Sequence, residues 1–305
     1  MWCVNGTVAK VALKSGGLTP ERLSEVRAAG SALLLSAIVL VTCRETARVT
    51  RREIPSLVVF GILGLAFVQY FYFVAIKRLD IGIGLVIMYT APVLVALWAR
   101  FFEHEPVRRR LWFALALALA GLSLVVDVWG GVTLDGLGVA SCLAAAVSYA
   151  VYIVMAAHAL RRGRNALSLL AWGFLFASVF WLVVAPPWSF PTDRLTESAS
   201  LLGRLEDVRL PVWLLLGYVV LFGSVVPFIF IVTSLRYLSA TRTIVLAMLE
   251  PVGAALVAYA WLGEELSAGQ IVGAVLVLAG ILVAQTARVE PIEPAPALRA
   301  LEERA

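Results

Sequence analysis

The chain has 305 residues, of which 61% are hydrophobic and 15% charged, with a mean hydropathy of +0.93 and a net charge of +5. Soluble domains run nearer half apolar and about a quarter charged, so a water-soluble fold of this composition could not cover its own surface. The basic residues sit in short clusters between apolar runs and form no continuous basic face, which excludes a nucleic-acid partner and points to a lipid bilayer.

In chain order, the first apolar segment, Trp2 to about Leu13, is too short to cross. A dozen helical residues rise about 18 Å, well under a bilayer core of ~30 Å. No basic stretch precedes it and no small-residue cleavage site follows, so it does not read as a signal peptide. Nine longer runs follow, at 24–43, 56–76, 81–101, 111–127, 137–158, 167–185, 212–234, 243–262 and 268–287. Helices are expected, because lipid offers no partner to an unpaired backbone group and the alternating strands of a barrel are missing. The tail 288–305 carries Pro291, Pro294 and Pro296 among charges and reads as disordered.

Lysine and arginine divide unevenly between the two sides. One set of connections and the tail hold 16 of them, including Arg51, Arg52, Arg108, Arg109 and Arg110, and the opposite set holds 7. The positive-inside rule then places both termini in the cytoplasm. Trp112, Trp129, Trp188, Trp213 and Trp261 fall near span ends, where an aromatic belt is expected. Lys10 and Arg27, inside spans beside the first outer connection, read as snorkelling to the interface.

The chain repeats itself. Ala75–Val125 lies on Ser234–Ala284 without a gap, and Pro92-Val93 meets Pro251-Val252, Glu105 meets Glu264 and Ala120-Gly121 meets Ala279-Gly280. With the short first segment counted, each half has five spans, and an odd number turns the second half over. Inverted repeats are a plan of secondary transporters, with the site near the midplane between the halves.

The segment LEPVGAALVAYAWLGEELSAGQIVGAVLVLAGILV resembles the closing motif of EamA-type transporters of the drug/metabolite transporter superfamily, and YTAPVLVALWARFFEHEPVRRRLWFALALALAGLSLVV is similar to the same unit. The resemblance implies an all-α integral membrane protein, a ten-helix bundle of two inverted five-helix repeats at 1–127 and 134–287. It also implies export or exchange of a small metabolite, such as an amino acid, across the inner (plasma) membrane. Family members open helix 1 with more apolar residues before a point matched here by Trp2-Cys3-Val4-Asn5, so the first helix is expected to be truncated.

Glu250 is the carboxylate well inside a span, where an ionisable group faces the bundle interior or a wet cavity. Two readings stand for it: a site for the solute's cationic group or a coupling proton, or a packing carboxylate paired with Arg236 or Arg242. Pro92 and Pro251 each remove a helix hydrogen bond, at the carbonyls of Met88 and Ala247, and predict kinks beside the cavity. Trp2, Asn5, Gln69, Tyr70, Tyr89, Tyr149 and Tyr152 are candidate cavity walls, the two amides the more telling because amides avoid lipid unless hydrogen-bonded.

Gly269, Gly273 and Gly280 allow a close helix contact within the bundle or in a homodimer. Cys3, Cys43 and Cys142 lie far apart, and neither His104 nor His158 has metal-ligand spacing. No P-loop, G-x-S-x-G or H-E-x-x-H motif occurs, so no metal, cofactor or catalytic residue is expected. The competing reading, an integral-membrane enzyme such as a lipid-group transferase, would need clustered polar groups at an interface. The long loop 186–211 offers only scattered ones.

Overall fold

The structure is a computed structural model that describes residues 2–79, 81–104, 108–125, 135–263 and 267–286. Those residues form ten helical segments: α1 (Trp2–Lys14), α2 (Pro20–Thr42), α3 (54–78), α4 (81–101), α5 (Arg109–Val125), α6 (Gly136–Arg161), α7 (Ala166–Val184), α8 (Val212–Ser234), α9 (240–262) and α10 (Ala268–Thr286). Six are long and apolar enough to cross a bilayer by themselves. The runs 81–101 and 243–262, read as continuous spans, are each broken, at Tyr89–Thr90 and at Met248, one turn before Pro92 and Pro251. The physical cause is the missing proline N–H. Glu105 and Glu264, Trp129 and the tail 288–305 lie outside the described residues.

Local chemistry sets the helix starts. Pro20 opens α2 behind an N-cap Thr19, and Asp135 caps α6 by accepting the Gly138 amide at 2.7 Å. The Asn165 side chain caps α7, accepting the amides of Leu167 and Ser168 at 2.9 and 3.3 Å. Asn165→Ala is expected to destabilise the protein by about 1 kcal/mol while Asn165→Asp leaves it unchanged. Thermal unfolding in detergent checks this, and equal losses in both variants would contradict the cap.

The α7–α8 connection contains the described strands, a short antiparallel hairpin of β1 (Ser198–Ser200) and β2 (Arg209–Pro211). It lies over the end of the bundle, where Ala199 and Leu201 are buried with Val8, Val11 and Val212.

The helix contacts obey the repeat. Exchanging α1–α5 for α6–α10 turns the pair α3·α6 into α8·α1, α4·α6 into α9·α1, and α3·α7 into α8·α2, and all six pairs are present. The pairs α2·α7 and α5·α10 map onto themselves, so they lie on the pseudo-two-fold axis. The correspondence reaches single residues. A Cβ on Gly121 would meet the Gly273 carbonyl at 2.7 Å, and one on Gly280 would meet the Ala114 carbonyl at 2.8 Å; Gly121 corresponds to Gly280 and Ala114 to Gly273. Both α3 and α8 widen into π-helical turns at equivalent places, Phe60–Ala66 and Leu221–Val225. Gly64 in one packs on Tyr152, and Gly223 in the other packs on Asn5. The bundle is therefore two five-helix repeats, the second turned over by the odd number of crossings.

Candidate functional site

A cavity of about 80 Å³ lies between the repeats, lined by Asn5, Arg27, Val68, Gln69, Tyr72, Met88, Tyr149, Phe228 and Glu250. These side chains come from α1, α2, α3 and α4 of the first repeat and α6, α8 and α9 of the second. Two irregularities shape it. The broken turns of α4 and α9 bring Tyr89 to Glu250, and the wide turn of α8 presents the Gly223 carbonyl and the Ser224 hydroxyl to α2.

Glu250 is half-buried because one side of it faces the cavity. The Tyr89 hydroxyl lies 2.7 Å from Glu250 Oε2 and 2.8 Å from the Ala247 carbonyl oxygen. Ala247 is the carbonyl that Pro251 leaves without its helical donor. The partner of Glu250 is thus a tyrosine of the other repeat; no ion pair joins it to Arg236 or Arg242 among the described residues.

Arg27 does not snorkel. It is 5% exposed, and its Nε donates to Ser224 Oγ and its Nη2 to the Gly223 carbonyl oxygen, both at 2.9 Å. Its guanidinium also lies over the Phe73 ring, 5.5 Å from the centroid. Gly223 and Ser224 sit in a π-helical turn; Pro227, four residues after Gly223, has no N–H to offer its carbonyl, and Ser224 adds a side-chain hydroxyl, so a buried cation finds acceptors there. Arg27 and Glu250 face the same cavity without forming an ion pair with each other among the described residues.

Two further atoms are short of partners. Asn5 Oδ1 and Tyr149 Oη are buried without a hydrogen bond among the described residues. Buried polar atoms normally find a partner; Tyr149 lines the cavity, whereas Asn5 turns its Oδ1 to Gly223 of α8.

Of the residues expected at the site, Asn5, Gln69, Tyr149 and Glu250 line the cavity, and Tyr89 reaches it through Glu250. Tyr152 is fully buried behind Tyr149, ring centroids 6.0 Å apart, and stacks on Phe60. Tyr70 packs against Trp181 of α7, 5.4 Å between centroids, away from the lining. The Trp2 side chain lies outside the described residues. Sequence reasoning missed Arg27 as a lining residue. The available signal was its place seven residues into α2, a full two turns from the nearest helix end.

The comparisons agree with this architecture. The EamA-like transporter family model matches residues 1–127 and 136–286, nearly the whole chain. The chain belongs to that family. "Uncharacterized transporter YdfC" of Bacillus subtilis is 24% identical to this EamA chain over 87% of it and 81% of the relative. "Uncharacterized transporter YwfM" of the same organism is 27% identical over 94% and 90%, and an "Uncharacterized transporter" of Archaeoglobus fulgidus is 27% identical over 76% of both. One solved crystal structure superposes with a TM-score of 0.71 over 93% of each chain at 18% identity, a likeness of fold alone. The EamA chain is thus a multi-pass membrane protein of the drug/metabolite transporter superfamily.

Proposed function

We propose that this EamA protein is a secondary transporter that exports or exchanges a small zwitterionic solute, an amino acid or a compound of that shape. It works by alternating access between repeats at 1–127 and 134–287 in the plasma membrane, with both termini cytoplasmic. The observation that supports this reading is a cavity at the repeat interface holding a buried cation and a carboxylate that do not pair with each other. Separated charges suit a ligand that carries both signs. Arg27 has five N–H donors and spends one Nε and one Nη2 contact on α8, which leaves donors for a solute carboxylate. Glu250, on the cavity wall, would take the ammonium group.

The repeat symmetry supports alternating access, since two inverted halves can exchange conformations and expose the same site to either side. Arginine-rich connections at 44–52, 108–110 and 161–164 support the orientation.

Mass spectrometry of medium from cells expressing the wild type and Glu250→Gln tests the function. A metabolite bearing an amine and a carboxylate should accumulate outside with the wild type and not with the variant. Enrichment of an uncharged solute would overturn the zwitterion reading. No enrichment and no uptake from well-folded protein would overturn transport.

A further inference from the structure

We propose that Glu250, Tyr89 and the Ala247 carbonyl form a proton-binding site whose occupancy sets the helix break in α9. This rests on the transport reading and names its coupling ion. The Tyr89 hydroxyl touches two acceptors at hydrogen-bond distance, Glu250 Oε2 and Ala247 O, and a phenol carries one hydrogen. A backbone carbonyl can only accept. Both contacts are full hydrogen bonds at once when the Glu250 carboxyl carries a proton, donating to Tyr89 Oη while Tyr89 donates to Ala247 O.

Ala247 needs that donor. The residue four positions on is Pro251, which has no N–H to offer. Tyr89 itself is 0% exposed, so its hydroxyl has no bulk water to turn to. When the carboxyl gives its proton to water on the open side, the Tyr89 hydrogen turns to the charged carboxylate, the stronger acceptor. The Ala247 carbonyl is then left unpaired at the weakest point of α9, and a buried unpaired carbonyl disfavours that arrangement.

The relay crosses from α4 of the first repeat to α9 of the second, so protonation reports directly on the contact between the halves. At the equivalent positions the repeats differ: Tyr89 corresponds to Met248 and Glu250 to Ala91, so one relay exists and no mirror copy of it. The charged and titratable groups that face Glu250 from neighbouring helices are Cys3 of α1, Arg27 of α2, Tyr72 of α3 and Tyr149 of α6. None is a carboxyl. A proton and a solute ammonium would compete for the same carboxylate, which makes one leave as the other arrives.

Infrared titration of the protein in lipid nanodiscs tests the site without any solute. The wild type should show a neutral-carboxyl band that disappears as pH rises. Glu250→Gln, whose amide keeps a donor for Tyr89 Oη, should fold normally and lose the band at every pH. In Tyr89→Phe the band should remain and shift to higher wavenumber. Amide hydrogen exchange over 244–252, corrected for its intrinsic pH dependence, should speed up on deprotonation in the wild type and stay flat in both variants. Absence of a titrating band removed by Glu250→Gln would overturn the proton site. A band with flat exchange would overturn its link to the helix break. Failure of either leaves the transport reading standing, whereas an intact titration with no solute movement would overturn that reading and not this site.

Discussion

Arg27→Leu should lower stability sharply and stop transport, and adding Ser224→Leu should restore part of the first and none of the second. Arg27 makes two hydrogen bonds from a charged donor at a buried position, one to Ser224 Oγ and one to the Gly223 carbonyl oxygen. Bonds of that kind contribute about 1.5–3 kcal/mol each, and removing one side leaves buried acceptors unpaired. A loss of roughly 3 kcal/mol is expected for the single variant, read as a fall in melting temperature in detergent. The symmetry of the fold supplies the reason for rescue. Gly30 on Val220 corresponds to Gly173 on Gly61, which places Leu170 where Arg27 stands and Leu65 where Ser224 stands. Leu65 and Leu170 are both buried in one apolar cluster. The same joint is thus built once with polar groups and once with leucines, and well-packed apolar replacements of buried charges are often neutral or stabilising. The double variant repacks the Ser224 side of the joint, leaves the Gly223 carbonyl without its Arg27 donor, and removes the cation that would hold the carboxylate of the proposed zwitterionic solute. Arg194→Ala, which breaks an exposed pair with Glu197, serves as control and should change stability by less than about 0.5 kcal/mol. A double variant no more stable than Arg27→Leu would show that the arginine is not a substitute for packing.

The two halves of this result differ in how legible they were. The ten helices, their inversion and the kinks at Pro92 and Pro251 followed from apolar run length, span parity and a gapless self-alignment, because those features depend on the backbone and on lipid. Glu250 stood out for the same reason: a carboxylate inside a span is expensive wherever it points. Arg27 did not, since an arginine near a span end has a cheap alternative in snorkelling. Its burial depends on a π-helical turn in α8, nearly 200 residues away; Pro227 marks a freed carbonyl there, but nothing in the sequence says that α2 packs against it. Tyr70 and Tyr152 were legible as aromatic and illegible as to direction. One helix position separates a cavity wall from a packing ring, and Tyr70 turned to Trp181 where its neighbour Gln69 turned inward. Cutting the spans at 81–101 and 243–262 into two pieces each needed the structure as well, because proline predicts strain without saying whether a helix bends or breaks.

Gly121→Ala should destabilise the protein by about 1–3 kcal/mol, and Gly121→Ala with Gly280→Ala should cost clearly less than the sum of the two. The reason lies on the pseudo-two-fold axis. A Cβ at Gly121 would sit 2.7 Å from both the Gly273 carbonyl oxygen and the Val277 amide nitrogen; one at Gly280 would sit 2.8 Å from the Ala114 carbonyl oxygen. These are backbone atoms and cannot rotate aside, so α5 and α10 must separate. Once separated by the first methyl, they already have room for much of the second. Lipid tails are as apolar as the side chains, so little drives the helices together except close packing, and small residues at the contact provide it. Gly217→Ala is the control: nothing lies within 4 Å of its Cβ position. It should be neutral or slightly stabilising, because a mid-helix glycine is unfavourable relative to alanine. Unfolding of all four variants in mixed micelles gives the comparison. Strictly additive losses would mean that the two contacts yield independently and that α5 and α10 hinge rather than separate. A loss at Gly217→Ala equal to that at Gly121→Ala would mean that glycine content, not the closeness of the two helices at the axis, sets the stability.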